Sequence, residues 1–460
     1  MVVAEPVRNQ GQGYRFGVRT GGFDVTAAAW ETRSVPDETQ CRLVLEDGLH
    51  WVGFGVADEQ TGTDGRWGSG NVMAMQAVLR DLGQQVGSDL PLWFVGGMAF
   101  DADHSVTPLG DRWPGALWIL PRWILWKRPE DGPWRWAVVV KGDDVGTLER
   151  CLDAETRALH DWARTGSVVG SGAALAYDAP VTAVSFEQWE TQVKGALAAI
   201  VEGSLTKVVM ARHEVWQLDR SASPDDLASL FAVIARQAHG TTRMLLSRGA
   251  SQAVVMATPE RLCRFDGLRL QLDALAGSAS RGTDPSADDE LARALLESAK
   301  ERGEHQLVID GIQDVLRPWV DTWSFPPEPQ VKKLSYIQHL FTPLEASLAE
   351  AADIAAIVNA LHPTPALGGV PKDAALQLIR DTEAAPRGWY GAPVGVVTAE
   401  GAQFWVAIRF AHVWGDRIAL MMGAGIVAGS EAKAEWLETA RKGEALRGIL
   451  KQWGAIARVC

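Results

Sequence analysis

The chemistry in this chain is concentrated in a few short stretches. In "LTKVVMARHE", Leu205 to Glu214, a strand would place Leu205, Lys207, Val209 and Ala211 on one face. The bland reading of Lys207 is a lysine snorkelling from a strand end, or a salt-bridge partner; the functional one is a partly desolvated amine. Desolvation disfavours the charged form, and a neutral amine near pH 7 is a usable general base. Around "KERGEHQLV", Lys300 to Val308, Glu297, Glu301 and Glu304 recur at i, i+4 and i+7 along one face of a predicted helix. Glu435, Glu438 and Lys442 in "AEWLETARK" share a face in the same way. Each is an ordinary solvated stripe if taken alone; jointly, two carboxylate pairs supply the hard oxygens that a divalent cation needs. "ATPERL" ends an apolar strand with Glu260, either an exposed turn residue or, if buried, a carboxyl raised enough to donate a proton. "MMGAGIVAG" places Gly423, Gly425 and Gly429 between a strand and a helix. Its GxGxxxG spacing, with no later ribose-binding acid, does not fit a dinucleotide loop, although exposed backbone N–H groups suit a small carboxylate.

The elements that must position these groups follow from periodicity. Up to about residue 150, apolar runs such as "LHWVGFGVA", "LPLWFVGGMAFD" and "ALWILPRWILW" alternate with Gly/Asp/Pro turns, so they read as strands. Helices are predicted at 70–87 and 144–166, and a boundary in the small, polar segment 167–184. Beyond it, a helix capped by Ser185 feeds the Lys207 strand. Further strands are predicted at 243–248, 252–258, 268–275, 404–414 and 417–425. Further helices are predicted at 288–319, 342–361 and 430–453. Strands in neighbouring pairs and helices in blocks predict an α+β fold with large antiparallel sheets.

Composition narrows the function classes. A net charge of −13 argues against nucleic acid and supplies no long-range field for an anion, so any anion site must be built locally. Four scattered cysteines, Cys41, Cys151, Cys263 and Cys460, without CxxC spacing, fit reduced thiols. No signal-peptide layout opens the chain, and no apolar run reaches membrane-spanning length, so a soluble cytoplasmic protein is expected. The tryptophans, 20 in all and dense before residue 163, lie in β-like runs and are expected to pack a core.

In order and spacing, "TKVVMAR", "ATPERL", "ALAGSASRG", "KERGEHQLV", "HPTPALGG", "VAIRFA", "GAGIV" and "EWLETARK" resemble the chorismate-utilising enzymes: the isochorismate, anthranilate, aminodeoxychorismate and salicylate synthases. The resemblance spans roughly residues 185 to 450, and "FVGGMAFD", Phe94 to Asp101, extends it weakly into the N-terminal half. It implies one large α+β domain of two stacked antiparallel sheets flanked by helices. Residues 1–180 would be a divergent, Trp-rich half of the sheet core, and 181–460 the chorismate-binding catalytic region.

The resemblance is strongest to the isochorismate synthase branch, because Lys207 occupies the position of a water-activating base and Ala366 stands where other branches differ. It implies reversible, Mg²⁺-dependent conversion of chorismate, by water attack at C2 and loss of the C4 hydroxyl. Lys207 would be the base and Glu260 the acid. Glu304 and Glu438 would hold Mg²⁺, with Glu301 and Glu435 acting mainly through water. Arg409, Lys442 and the backbone near Gly423 and Gly425 would grip a carboxylate. Gly277 and Ser278 would lie against the ring and the leaving hydroxyl, and His339 is either a substrate neighbour or a packed structural histidine. Gly303 and Gln306 depart from the pattern of close relatives, while the ligand positions are intact. The alternatives are a salicylate synthase, which would go on to eliminate pyruvate, and an ammonia-using aminodeoxychorismate-type synthase. A monomer without a glutaminase subunit is expected. The product could feed menaquinone, siderophore or salicylate synthesis.

Overall fold

Long strands buried on both faces need a partner on each side and a layer above and below. The chain meets this with two large sheets. The computed structural model describes residues 2–3, 15–22, 34–35, 39–62, 67–87, 90–101, 107–110, 113–130, 133–165, 173–333, 337–349 and 353–457. Among them are a 13-stranded and a 10-stranded sheet, in which every strand pair is antiparallel, and nine helices. This is the α+β architecture expected from the sequence.

Both halves of the chain contribute to both sheets. In the larger, Gln40–Val44 pairs with Thr242–Ser247; in the smaller, Phe94–Met98 pairs with Pro393–Val397. The core between them is rich in tryptophan, with Trp51, Trp67, Trp118, Trp189 and Trp389 all buried and Trp67 stacked on Trp118 at 4.9 Å. Cys41, Cys151 and Cys263 are free thiols, and Cys460 lies outside the described residues.

The centre of the larger sheet's C-terminal part is the pair Lys207–Gln217 and Arg417–Val427, in register from Lys207↔Val427 to Gln217↔Arg417. Helix Phe186–Val201 delivers the chain to Lys207; its cap Ser185 accepts from the Gln188 N–H. Helix Ala432–Ala457 packs back on Arg417–Val427. Arg212 fixes that helix from the strand below, donating to Thr439 Oγ1 at 2.8 Å and stacking on Trp436 at 4.0 Å.

Four sequence expectations change. The apolar run 404–414 is two strands, Gly401–Val406 in the smaller sheet and Phe410–Trp414 in the larger. Run 116–126 likewise divides into Ala116–Leu120 and Trp123–Lys127 around Pro121, which has no N–H for a ladder. Apolar content alone does not reveal a change of sheet. The helix predicted over 288–319 is two, Pro285–Glu297 and Ala299–Leu316, divided at the extended Ser298, whose Oγ accepts from the Glu301 N–H and so caps the second. Glu297 therefore does not share a helix with Glu301 and Glu304. Finally, the segment predicted as helix 342–361 begins as a strand, Ile337–Leu348, and only Ile354–Leu361 is helical. Its inward residues Gln338, Leu340, Thr342, Leu344, Ala346 and Leu348 keep a period of two, which outweighs the Ala/Glu-rich composition.

Candidate active site

Lys207 begins its strand and is 1% exposed. Its neighbours Leu205, Val209 and Ala211 are buried as well, so the amine does not snorkel to water. The strand pattern did not show its partner: Nζ lies 2.7 Å from Glu304 Oε1, a contact across 97 residues. Gly425, opposite Val209, makes room for this pair. A Cβ there would lie 3.2 Å from Lys207 Cε and 3.3 Å from Glu304 Oε1.

Glu260 and Arg409 sit where the chain changes sheets. Gln252–Thr258 belongs to the larger sheet and Arg261–Asp266 to the smaller, with Pro259 and Glu260 between them. Glu260 is 6% exposed. Burial, helped by the Asp273 carboxylate, pushes its carboxyl up to about 8, with Lys207, Lys442 and Lys332 pulling weakly the other way. It is thus an acid that keeps its proton at neutral pH. The second crossover, Ala407 to Arg409, puts Arg409 at φ 49°, the left-handed region, where no other non-glycine of the described residues lies. Strain of this kind costs on the order of 1–3 kcal/mol and collects at functional sites. Burial lowers Arg409 to about 10, so it remains a cation at neutral pH.

The carboxylates come from two helices. Glu301 and Glu304 occupy the first turns of Ala299–Leu316; Glu435 and Glu438 those of Ala432–Ala457. Glu301 Oε2 accepts from the Ser278 N–H at 2.9 Å, and Glu438 Oε1 lies 2.7 Å from Lys442 Nζ. Burial and neighbouring carboxylates raise Glu301 and Glu435 above the ordinary range. Burial would raise Glu438 also, but Lys442 outweighs it and holds the group low. Burial would pull Lys442 down, and Glu438 in turn keeps it above its usual value. Four hard-oxygen donors, two of them raised by burial and by neighbouring like charge, fit a divalent cation as a donor set. Among the described residues no three His, Cys, Asp or Glu side chains are already gathered as ligands, since Glu304 and Glu438 are turned to lysines.

The remaining wall is the strand pair Arg269–Ser280 and Ile337–Leu348. Its register shifts between Ala276 and Ser278, and Gly277 fills the bulge at φ 77°. A Cβ there would meet the Glu301 backbone oxygen at 3.1 Å, so the bulge also lets helix Ala299–Leu316 approach. Ser278 Oγ and His339 Nδ1 are 2.9 Å apart. Burial, with Arg409 and Lys442 nearby, lowers His339 to about 3, a neutral imidazole at pH 7.

The glycines of "MMGAGIV" differ from expectation. Gly423 and Gly425 lie inside the strand, not beyond it. Val209 N–H donates to Gly368 O and Ala211 N–H to Glu383, so the Val209–Gly425 and Ala211–Gly423 pairs are of the non-hydrogen-bonded type. The amides of both glycines therefore face away from the Lys207 strand, the side on which Lys442 Nζ donates to Gly423 O at 3.2 Å.

One cleft of about 1300 Å³, including its open mouth, is lined by Lys207, Glu260, Gly277, Ser278, Glu301, Glu304, His339, Ala366, Arg409, Gly423, Gly425, Glu435, Glu438 and Lys442, all expected at the site from the sequence, whereas Glu297 and Gly429 lie outside it. Sequence reasoning missed Tyr390, Leu367, Lys300 and Arg441, which line it too. Tyr390 follows a turn in "RGWYG", where no periodicity marks an inward side chain. His362, from "HPTPALGG", lies outside the cleft; its Nε2 is 2.9 Å from Phe100 O, joining that loop to the N-terminal "FVGGMAFD" segment.

Known proteins bear on this arrangement. An isochorismate synthase of salicylate biosynthesis from Pseudomonas aeruginosa is 38% identical over 290 residues, 63% of this chain and 60% of that protein. The isochorismate synthase MenF of Haemophilus influenzae is 35% identical over 265 residues, 57% of this chain and 60% of that protein. The matches thus span less than two thirds of these relatives' own length. The solved structure of MenF from Escherichia coli, described as a menaquinone-specific isochorismate synthase, superposes with a TM-score of 0.77 at 26% identity, covering 98% of this chain and 96% of that one. Anthranilate synthase component I from Streptococcus pneumoniae, at 17% identity and a TM-score of 0.65 over 96% of this chain and 94% of that one, shares the fold. A family model described as chorismate binding enzyme matches residues 46–451, which encompass both sheets' central strands and the whole cleft, and the chain belongs to that family.

Proposed function

We propose that the protein is an isochorismate synthase, an isomerase that interconverts chorismate and isochorismate by adding water at C2 and expelling the C4 hydroxyl. The observation that carries this reading is a buried amine and a buried, protonated carboxyl, Lys207 and Glu260, on one cleft. Water is a weak nucleophile and hydroxide a poor leaving group, so the exchange needs a base and an acid at separate positions on the ring. Lys207 takes the proton of the attacking water. To do so it must be the free amine: the proton that its nitrogen holds against Glu304 Oε1 has to pass to solvent before the water attacks, because an ammonium has no lone pair to offer. Glu260 delivers its proton to the departing hydroxyl, and Ser278, set by the His339 imidazole, orients that group. Arg409 and Lys442, with the outward amides of Gly423 and Gly425, hold a carboxylate.

Glu304 and Glu438 would hold Mg²⁺, with Glu301 and Glu435 reaching it through water. The bound ion would neutralise the substrate's other carboxylate against these glutamates and polarise the ring. A Glu304 drawn to that cation would no longer favour the charged form of Lys207. The reading includes a single-component enzyme, working as a monomer in the cytoplasm without a glutaminase; among the described residues no helix is long and apolar enough to cross a membrane.

Incubating the purified protein with chorismate and Mg²⁺ tests it. Accumulating isochorismate is expected. Salicylate with pyruvate would make it a salicylate synthase, and an aminated product on adding ammonium would place it with the ammonia-using branch.

A further inference from the structure

The Lys207 strand is incompletely covered on the side away from Arg417–Val427. Among the described residues, Gly369–Val370 pairs with Lys207 and Val208, and Thr182–Ala183 pairs with Glu214 and Val215. Between these two short strands, side chains of "TEAAPR" serve the backbone. Glu383 Oε1 accepts from the Ala211 N–H at 2.7 Å, and Arg387 Nη2 donates to Val209 O at 2.7 Å. The same guanidinium donates through Nη1 to Leu367 O at 2.8 Å and through Nε to Glu383 Oε2 at 2.9 Å, and it lies 4.3 Å over the Phe100 ring. Arg387 is 3% exposed, and the Glu383 side chain is 4% exposed.

Val209 and Leu367 both line the cleft, two residues beyond Lys207 and one beyond Ala366. We infer that Arg387 and Glu383 are positioning residues: a side-chain splint that replaces a missing strand segment and sets the Lys207 strand against the Ala366 loop. The inference rests on the proposed function. A guanidinium is suited to this because its fixed fork reaches two carbonyls and a carboxylate together, whereas an ammonium is a single point of attachment. Without the fork the two walls lose their common reference, and Lys207 is displaced relative to a ring bound by Arg409 and Lys442, which the splint does not touch. The consequence is a loss of turnover without a matching loss of substrate binding.

The test compares wild type, Arg387→Lys and Glu383→Gln, each with Mg²⁺ and chorismate, after far-UV circular dichroism and thermal melting have established folding. An ångström of misplacement costs about 100-fold in rate, so Arg387→Lys should lower kcat by about that factor with KM for chorismate within about threefold. Glu383→Gln retains an acceptor for the Ala211 N–H and should lose less, about tenfold, again in kcat. A role confined to stability would lower the melting temperature and leave kcat of the folded enzyme unchanged. Folded variants whose kcat stays within about threefold of wild type, or whose KM rises more than kcat falls, would overturn the inference. So would failure of both variants to fold, since structural support alone would then account for the pair. If wild type itself makes no isochorismate, the proposed function fails instead, and the two failures are distinguished.

Discussion

Replacing Glu260 by glutamine keeps the shape of a neutral carboxyl and removes its proton, which makes Glu260→Gln the sharpest single perturbation. The wild-type carboxyl is held at about 8 against an ordinary 4.5. Between those values the folded protein binds a proton that the unfolded chain has released, so its stability falls as pH rises. At about 1.4 kcal/mol per pH unit, the full step amounts to roughly 5 kcal/mol, of which about 2–3 kcal/mol lies between pH 6 and pH 8. The variant has no such group and lacks this slope. Urea unfolding of both proteins at pH 6, 7 and 8 should show wild type losing that much relative to the variant as pH rises. Turnover gives the second arm: losing a general acid costs about 10²- to 10⁴-fold in kcat, with chorismate still bound near neutral pH. Wild-type kcat should also fall above about pH 8, as Glu260 ionises. A variant within tenfold of wild-type kcat, or a stability difference flat from pH 6 to 8, would refute the reasoning.

Lys207→Ala should abolish turnover while chorismate binding, followed by calorimetry, persists; full activity would remove the base assignment. Gly425→Ala pushes a methyl to 3.2 Å from Lys207 Cε and 3.3 Å from Glu304 Oε1. Overpacking of this kind costs about 1–3 kcal/mol, and if borne by the transition state it lowers kcat roughly 5- to 150-fold, which steady-state kinetics would read. Treatment with EDTA should stop the reaction and added Mg²⁺ restore it; turnover unaffected by the chelator would argue against the carboxylates as a metal site.

The sequence made the chemistry more legible than the architecture. Lys207 stood out because a strand period of two put an ammonium among apolar residues, and burial confirms that setting. The i, i+3 spacing placed Glu301 with Glu304 and Glu435 with Glu438, and helices do present them to one cleft. Hidden were relations between distant segments. The Lys207–Glu304 contact joins residues 97 apart, and no local pattern encodes it. Arg387 and Glu383 follow a helix in a stretch with no periodicity to mark them, and their side chains are buried against strand backbone. Thr342–Leu348 looked helical because alanine and glutamate favour helices, while tertiary pairing with Arg269–Ser280 decides the outcome. Strands that change sheets, as at Arg409, leave no break in hydrophobicity to read.

The central claim is that solvent water, activated at Lys207, becomes the new hydroxyl while the original one departs through Glu260. Running the reaction in ¹⁸O-water and examining the product by mass spectrometry tests this most directly. Isochorismate formed in a first turnover should carry one ¹⁸O, on the C2 hydroxyl. Unlabelled isochorismate would mean that the substrate's own hydroxyl migrates, and the water-activating role of Lys207 would fall with it.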